Sequence, residues 1–149
     1  MAGNTPLELE KFLPYQLSVL SNTVSQAIAR EYADRFQLSI TQWRVVAVLG
    51  RYDGLSAREV AERTAMDKVA VSRAVAELMK DGRVRRATAD HDKRQSVLSL
   101  TARGKKVYAE VAPLALEHER RLLAHLDADE RQWLGRIIDK LLKAEKALA

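Results

Sequence analysis

Apolar residues at Leu13, Leu17, Leu20, Val24 and Ile28 recur at spacings of three and four, the repeat of one helix face. The pattern predicts a long amphipathic helix from Pro14 to about Phe36. Ser39 with Gln42 three positions on stands ahead of Trp43, Val46, Ala47 and Leu49. Side chain and backbone can cap each other reciprocally there, which opens a second helix running to about Tyr52 and stopping at Asp53-Gly54. Ser56 with Glu59 repeats the device and starts a short third helix that ends near Arg63. Thr64-Ala65-Met66 is a three-residue connection, and Asp67 then caps a fourth helix that ends at Asp81 before Gly82. Two short helices joined so tightly form a helix-turn-helix.

Beyond Gly82 the period falls to about two. Arg83 to Thr88 and Ser96 to Leu100 read as strands around the polar stretch Ala89-Asp90-His91-Asp92-Lys93-Arg94-Gln95, a β-hairpin with a charged tip. Thr101 caps another long helix, expected to bend at Pro113, where the ring and the missing N–H interrupt the hydrogen-bond ladder, and to continue to about Leu126. Asp127 with Glu130 opens a last helix with a broad apolar stripe of Leu134, Ile137, Ile138, Leu141, Leu142 and Leu148. The fold class is therefore mainly α with a small β-hairpin wing: a winged helix-turn-helix over residues 37–100, inside a helical dimerisation frame formed by 7–36 and 101–149. The end helices carry more apolar surface than the central module can cover, so a homodimer is expected.

Length allows one core, since 149 residues fall within the roughly 100 to 200 of a typical domain. The absence of cysteine excludes disulfides, thiol redox sensing and Cys-ligated zinc. No apolar run approaches the roughly 18 residues of a membrane span. Met1 to Leu13 carries Glu8 and Glu10 and has no basic segment followed by an apolar one, so no secretory signal is read and a cytoplasmic location is expected. The net charge of +5 is unevenly spread: Ser56 to Lys106 holds 13 Lys and Arg against 7 Asp and Glu, and the rest 12 against 13. A positive segment between near-neutral ones suits a nucleic-acid reader, because phosphate neutralisation supplies most non-specific affinity. A merely solvated face would have the same charge.

With Val71 at the centre of the buried face of the fourth helix, steps of about 100° per residue turn Val75, Leu78 and Met79 inward and Val69, Arg73, Ala76 and Lys80 outward. The outward face is basic and slim. Val69, Ala70 and Ala76 let the backbone approach base edges; Arg73 can reach guanine O6 and N7 or a phosphate, and Val69 or Ala70 a thymine methyl. Lys68 and Ser72, at the rims, suit phosphates. An ordinary surface helix is the plainer alternative, and the tight turn before it speaks against that. In the hairpin, Leu98 and Leu100 turn inward while Arg83, Arg85, Arg86, Lys93 and Arg94 supply cations. Arg94 suits the minor groove, where narrow A·T-rich stretches focus negative potential. Asp92, two residues away, can hold its guanidinium in one pose. A polar, solvated turn is the alternative here.

The run Leu55-Ser56-Ala57-Arg58-Glu59-Val60-Ala61, then Val71-Ser72-Arg73, Leu78, Gly82, Asp90-His91-Asp92-Lys93-Arg94 and Leu100-Thr101-Ala102-Arg103-Gly104, resembles the MarR family of bacterial transcriptional regulators, with a likeness extending from about Phe12 to Leu148. The resemblance implies a homodimer whose end helices interlock and whose winged helices each read half of a palindromic operator on double-stranded DNA. It also implies a repressor released by a small molecule. Ser72 and Arg73 would be recognition-helix contacts and Arg94, oriented by Asp92, the wing-tip contact. A looser likeness of Leu13 to Asn22, with Trp43-Arg44, to members controlling aromatic or hydroxycinnamate degradation implies an aromatic acid or its coenzyme A thioester as effector. Ser18, Asn22, Gln26, Trp43 and Arg44 are the effector candidates, each equally readable as a cap, core or surface residue.

No other chemistry stands out. His118 and His125 lie two helical turns, about 10 Å, apart, too far to share one zinc at bonds of about 2 Å. No metal site or cofactor is expected. There is neither a Gly-rich phosphate loop nor a nucleophile elbow, so an enzyme is not expected. The alternative function is a non-specific DNA-binding or partner-docking helical dimer without an effector.

Overall fold

The computed structural model describes residues 3–89 and 92–149, and for residues 89 and 92–95 the backbone alone. The element order is α1 (Leu13–Phe36), α2 (Ile40–Arg51), α3 (Ala57–Thr64), α4 (Lys68–Lys80), β1 (Val84–Ala89), β2 (Asp92–Leu100), α5 (Ala102–Leu123) and α6 (Ala128–Leu148), with a 3-10 turn at Leu9–Lys11 before α1. All six expected helices form and the two strands pair antiparallel.

The boundaries follow from local chemistry. Ser39, Ser56 and Asp127 each accept from the backbone amide three residues on, and Gln42, Glu59 and Glu130 return the bond to the cap backbone. Asp67 accepts from the Ala70 amide at 3.1 Å, and Thr101 Oγ1 from the Gly104 amide at 3.1 Å. Each satisfies amides that a helix start leaves without intrahelical partners. The turn between α3 and α4 puts Ala65 in the left-handed region at φ 53° and ψ 39°, which costs an L-residue roughly 1–2 kcal/mol. Burial of Ala61 and Thr64 beside it, with Thr64 Oγ1 donating to the Ala61 carbonyl at 3.0 Å, holds the tight turn nonetheless.

Two boundaries differ from expectation. Strand β2 begins at Asp92 instead of Ser96, because Ala89 pairs with Asp92 after a register shift following Thr88. Ladder bonds come from the main chain, so a polar run can extend a strand where alternation gives no sign of it. Helix α5 stops at Leu123, with the amides of Ala124, His125 and Leu126 closing turns onto Arg120, Leu122 and Leu123. The helix runs unbroken through Pro113.

The chain forms two compact units, one ending at Leu114 and the other spanning Ala115–Ala149. The first contains the core. Val45, Val46 and Leu49 of α2, Val60 of α3, Val71, Val75 and Leu78 of α4, Leu98 and Leu100 of β2 and Val107 and Val111 of α5 are all buried. Leu55 adds a third strand-like rung, exchanging backbone bonds of 3.2 and 2.7 Å with Leu98. Tyr32 alone is buried from α1, and Leu13, Leu17 and Leu20 are exposed. In the second unit none of the residues of α6 is buried, leaving Trp133, Leu134, Ile137, Ile138 and Leu141 exposed. Glu117 is forked by Arg120 at 2.8 and 2.7 Å and joined by Arg121 at 3.1 Å; these guanidinium bonds, the Arg120 bond foremost, hold its carboxyl down to about 2.

Gly104 marks the tightest approach. A Cβ there would stand 2.0 Å from the Arg83 carbonyl oxygen and 3.2 Å from a Leu100 methyl. Backbone on one side and core on the other leave it nowhere to move. Gly104→Ala should therefore cost about 1–3 kcal/mol of unfolding free energy, read as a lowered urea midpoint at unchanged slope; a parent-like midpoint would contradict this packing.

Candidate nucleic-acid interface and aromatic cluster

Helix α4 is split lengthwise. Val71, Ala74, Val75 and Leu78 are buried and Lys68, Val69, Ser72, Arg73, Ala76 and Lys80 exposed. Two residues apart, Val69 is 64% exposed and Val71 1%, as a 200° rotation requires. Ala74 adds to the expected inward set; Ala70 and Met79 are half-buried, Ala70 with its amide already bonded to Asp67. The rotation is further fixed by Glu77, whose Oε2 accepts from Gln42 Nε2 at 2.6 Å. The exposed strip thus offers a large apolar group, a hydroxyl and two cations at the first turns of the helix, where a recognition helix meets base edges. Between α3 and α4 lies an apolar groove of about 300 Å³ with Arg58, Lys68 and Ser72 on its rim.

In the hairpin, Leu98 and Leu100 are buried as expected, and Arg85 and Arg86 exposed. Arg86 stands opposite Leu98 and Arg85 opposite Ser99, so the two guanidinium groups leave opposite faces of the ribbon. The side chains of Asp92, Lys93 and Arg94 fall outside the described residues, and Asp90 and His91 do so entirely. Arg83, expected among the wing cations, is not one: it is 7% exposed and its Nη2 donates to the Phe36 carbonyl. The cause is its backbone, held by an amide bond to Leu78 O at 2.9 Å and a carbonyl bond from the Thr101 amide at 3.0 Å. These face the side chain inward.

A second cluster joins α1, α2 and α5. Trp43 packs between Tyr32, with ring centroids 5.9 Å apart, and Tyr108, at 6.2 Å and stacked. Arg44 Nη2 donates to Ser25 Oγ at 3.0 Å. Tyr32 is 1% exposed, and burial pushes its phenol up to about 12 against the opposing pull of Arg44. Of the effector candidates, Trp43 and Arg44 are half-buried in this cluster, while Ser18, Asn22 and Gln26 are exposed. Ser18 and Asn22 precede Ser25 by seven and three residues and share its stripe of α1. Gln26 lines a different, shallow groove with Ala29, Arg30, Ala33, Asp34 and Ile40. Ser25, Tyr32 and Tyr108 were not singled out from the sequence. Gly50 was the available signal: a glycine in the last turn of a helix invites the question of what lies close, and a Cβ there would meet the Tyr108 ring at 2.3 Å.

A helix-turn-helix with an exposed, basic second helix and a β-ribbon beside it is the architecture of a winged-helix DNA-binding regulator. Residues 36–95, from the end of α1 into β2, match the MarR family. The HTH-type transcriptional regulator BilQ of Clostridium symbiosum is 31% identical over 102 residues, covering 68% of this chain and 71% of that one. The homoprotocatechuate degradative operon repressor of Escherichia coli is 24% identical over 113 residues, 76% of either chain. The crystal structure of a MarR family transcriptional regulator from Silicibacter pomeroyi superposes with a TM-score of 0.80 at 29% identity, covering 96% of this chain and 95% of that one. The chain belongs to the MarR family: it is a DNA-binding transcriptional regulator and not an enzyme. Among the described residues no helix is long and apolar enough to cross a membrane.

The raised Tyr32 pKa has a consequence for alkaline stability. Folded and unfolded chains both hold the phenol proton at neutral pH. Above the ordinary value of 10.0 the unfolded chain loses it first, and the folded one only near 12, so stability should fall across that window. Tyr32→Phe should flatten the fall, measured as unfolding free energy against pH. An unchanged slope in the variant would place the cause elsewhere.

Proposed function

We propose that this protein is a cytoplasmic homodimeric repressor that binds a palindromic operator and is released by a small aromatic acid or its coenzyme A thioester. Residues 37–100 form the reader, and 7–36 with 101–149 the dimerisation frame. The observation that carries the reading is the division of α4, with Lys68, Val69, Ser72 and Arg73 on its free face and its other face locked into the core. In this reading Val69, Ala70 and Arg73 meet base edges, and Lys68 and Ser72 meet phosphates. Arg86 and Lys93 follow the backbone beside the wing, and Arg94, oriented by Asp92, enters the minor groove. The apolar side chains left exposed on α1 and α6 support a second copy as their cover, since such surface is seldom left to water. Two-fold symmetry then repeats the reader at about 34 Å, one turn of DNA.

The effector reading rests on the cluster of Trp43, Tyr32, Tyr108 and Arg44. Flat rings stack on a flat ligand and a guanidinium takes a carboxylate in bidentate fashion. Ser18, Asn22 and Gln26 would supply polar contacts from α1. The relative that represses a homoprotocatechuate degradative operon supports an aromatic acid as the class. Release requires that the ligand bind one arrangement of the two readers better than the other, because equal binding shifts nothing.

Arg73→Ala should weaken operator binding by roughly 1–3 kcal/mol and flatten preference at one operator position, scored by binding to a library of single-base variants. A loss uniform over all sequences would reassign Arg73 to phosphate. For the effector, hydroxylated aromatic carboxylates and their coenzyme A thioesters are titrated against the protein–operator complex. At least one is expected to release DNA, with the response lost in Arg44→Met. If none moves the operator affinity, the protein is a DNA-binding dimer without such an effector.

A further inference from the structure

The buried guanidinium of Arg83 has no part in the surface chemistry above. Its Nη2 donates to the Phe36 carbonyl at the end of α1, while Nε and Nη1 are buried with no hydrogen-bond partner among the described residues. The last carbonyls of α1 carry the partial negative charge of the helix end, so the contact is charge-assisted and directional. The main chain of the same residue is held elsewhere. Its amide donates to Leu78 in the last turns of α4, and its carbonyl accepts from Thr101 at the start of α5, each at about 3 Å. Gly104 closes against that carbonyl, and Val84 next in sequence pairs with Leu100 at the root of the wing. One residue therefore ties the end of α1 to the end of α4, to the wing and to α5.

Gln42 makes a second tie. Its Oε1 accepts from the Ser39 amide at 2.9 Å, completing the cap of α2, and its Nε2 donates to Glu77 Oε2 of α4 at 2.6 Å. Phe36 and Ser39 flank the turn between α1 and α2, so that turn is joined to α4 at two levels, Glu77 and the Leu78–Arg83 bond. Two attachments along one helix define its tilt as well as its place.

We propose that Arg83, with Gln42 and Glu77 as the second support, is a positioning residue that sets the angle of α4 and the wing against the end of α1, and thereby the protein's preference for its operator over other DNA. This rests on α4 being the reader. Base-edge hydrogen bonds depend on angle and distance, whereas phosphate contacts tolerate misalignment. Loss of Arg83 therefore acts on specificity, and non-specific affinity stays.

The test uses full-length protein, a duplex selected by the protein from a random pool, and a scrambled duplex of the same length and composition, at one salt concentration. Arg83→Met is expected to weaken binding to the selected duplex by about tenfold, the scale of one lost base contact. Binding to the scrambled duplex should stay within about twofold, being set by phosphates. The melting temperature should not fall, since an apolar chain replaces a poorly partnered buried charge. Arg83→Lys, which keeps a charged donor for the Phe36 carbonyl, should recover part of the preference. An unchanged ratio of the two affinities in Arg83→Met overturns the proposal. So does a joint fall of both affinities and of the melting temperature in both variants, which would make Arg83 a structural residue only. Should Arg83→Met not fold, Arg83→Lys decides alone: a lowered ratio supports the proposal and a parent-like ratio ends it. Failure of the reader itself is distinguishable, because Arg73→Ala would then be silent on the selected duplex.

Discussion

The burial of one stripe of α4 is the constraint from which the working surface follows. Val71, Val75 and Leu78 are withdrawn from water with Val45, Val46, Val60 and Leu98, and burying a side chain of this kind contributes roughly 1.5–3 kcal/mol. A helix held on one side in this way keeps that stripe turned inward. Whatever lies on the other side is presented to solvent in a fixed order, which is how Lys68, Val69, Ser72 and Arg73 come to share a strip. The Gln42–Glu77 bond adds a polar stop to a rotation that apolar contact alone, being non-directional, defines less sharply.

The core is concentrated in the helix-turn-helix and the wing, and this distribution has a functional counterpart. A reader of DNA must keep its probes at one spacing and angle, so rigidity is needed between α4, the wing and their supports. The α1 helix gives only Tyr32 fully to that core, and α6 buries nothing within its own unit. Their apolar side chains are free for a different partner. A second copy is the occupant argued for above, and symmetry would then use the same helices twice.

Beside the reader, Trp43, Tyr32 and Tyr108 form an aromatic wall next to Arg44. The wall includes residues of α1, α2 and α5, three of the elements that are also tied to α4 through Arg83 and Gln42. The two features are therefore neighbours in the chain's architecture as well as in the reading proposed for them: a ligand that shifts α1 against α2 would move a turn that is tied to α4 at Glu77 and near Leu78. Coupling of that kind needs no long path, only a junction with more than one arrangement.

Much of the fold was legible from short-range signals. Five helix starts follow from caps bonded three residues on, and the inward faces of α4 and β2 follow from period. These features are local: a Ser hydroxyl finds the amide three residues on whatever the rest of the chain does. The exposed side of α4 was legible for the same reason. What could not be read was set by groups distant in sequence. Arg83 looked like a further wing cation, and only its backbone bonds to Leu78 and Thr101 and the carbonyl of Phe36 turn it inward. The pairing of Asp92 with Ala89 is the exception, three residues apart and made by main-chain bonds that side-chain alternation does not show; Tyr108 comes beside Gly50 through the way α5 lies against α2. Signals within a few residues of one another place the helices, their starts and the faces that seek an interior. Tertiary structure alone decided which polar groups that interior would contain, because the cost of burying a charge depends on neighbours that only the assembled fold brings together.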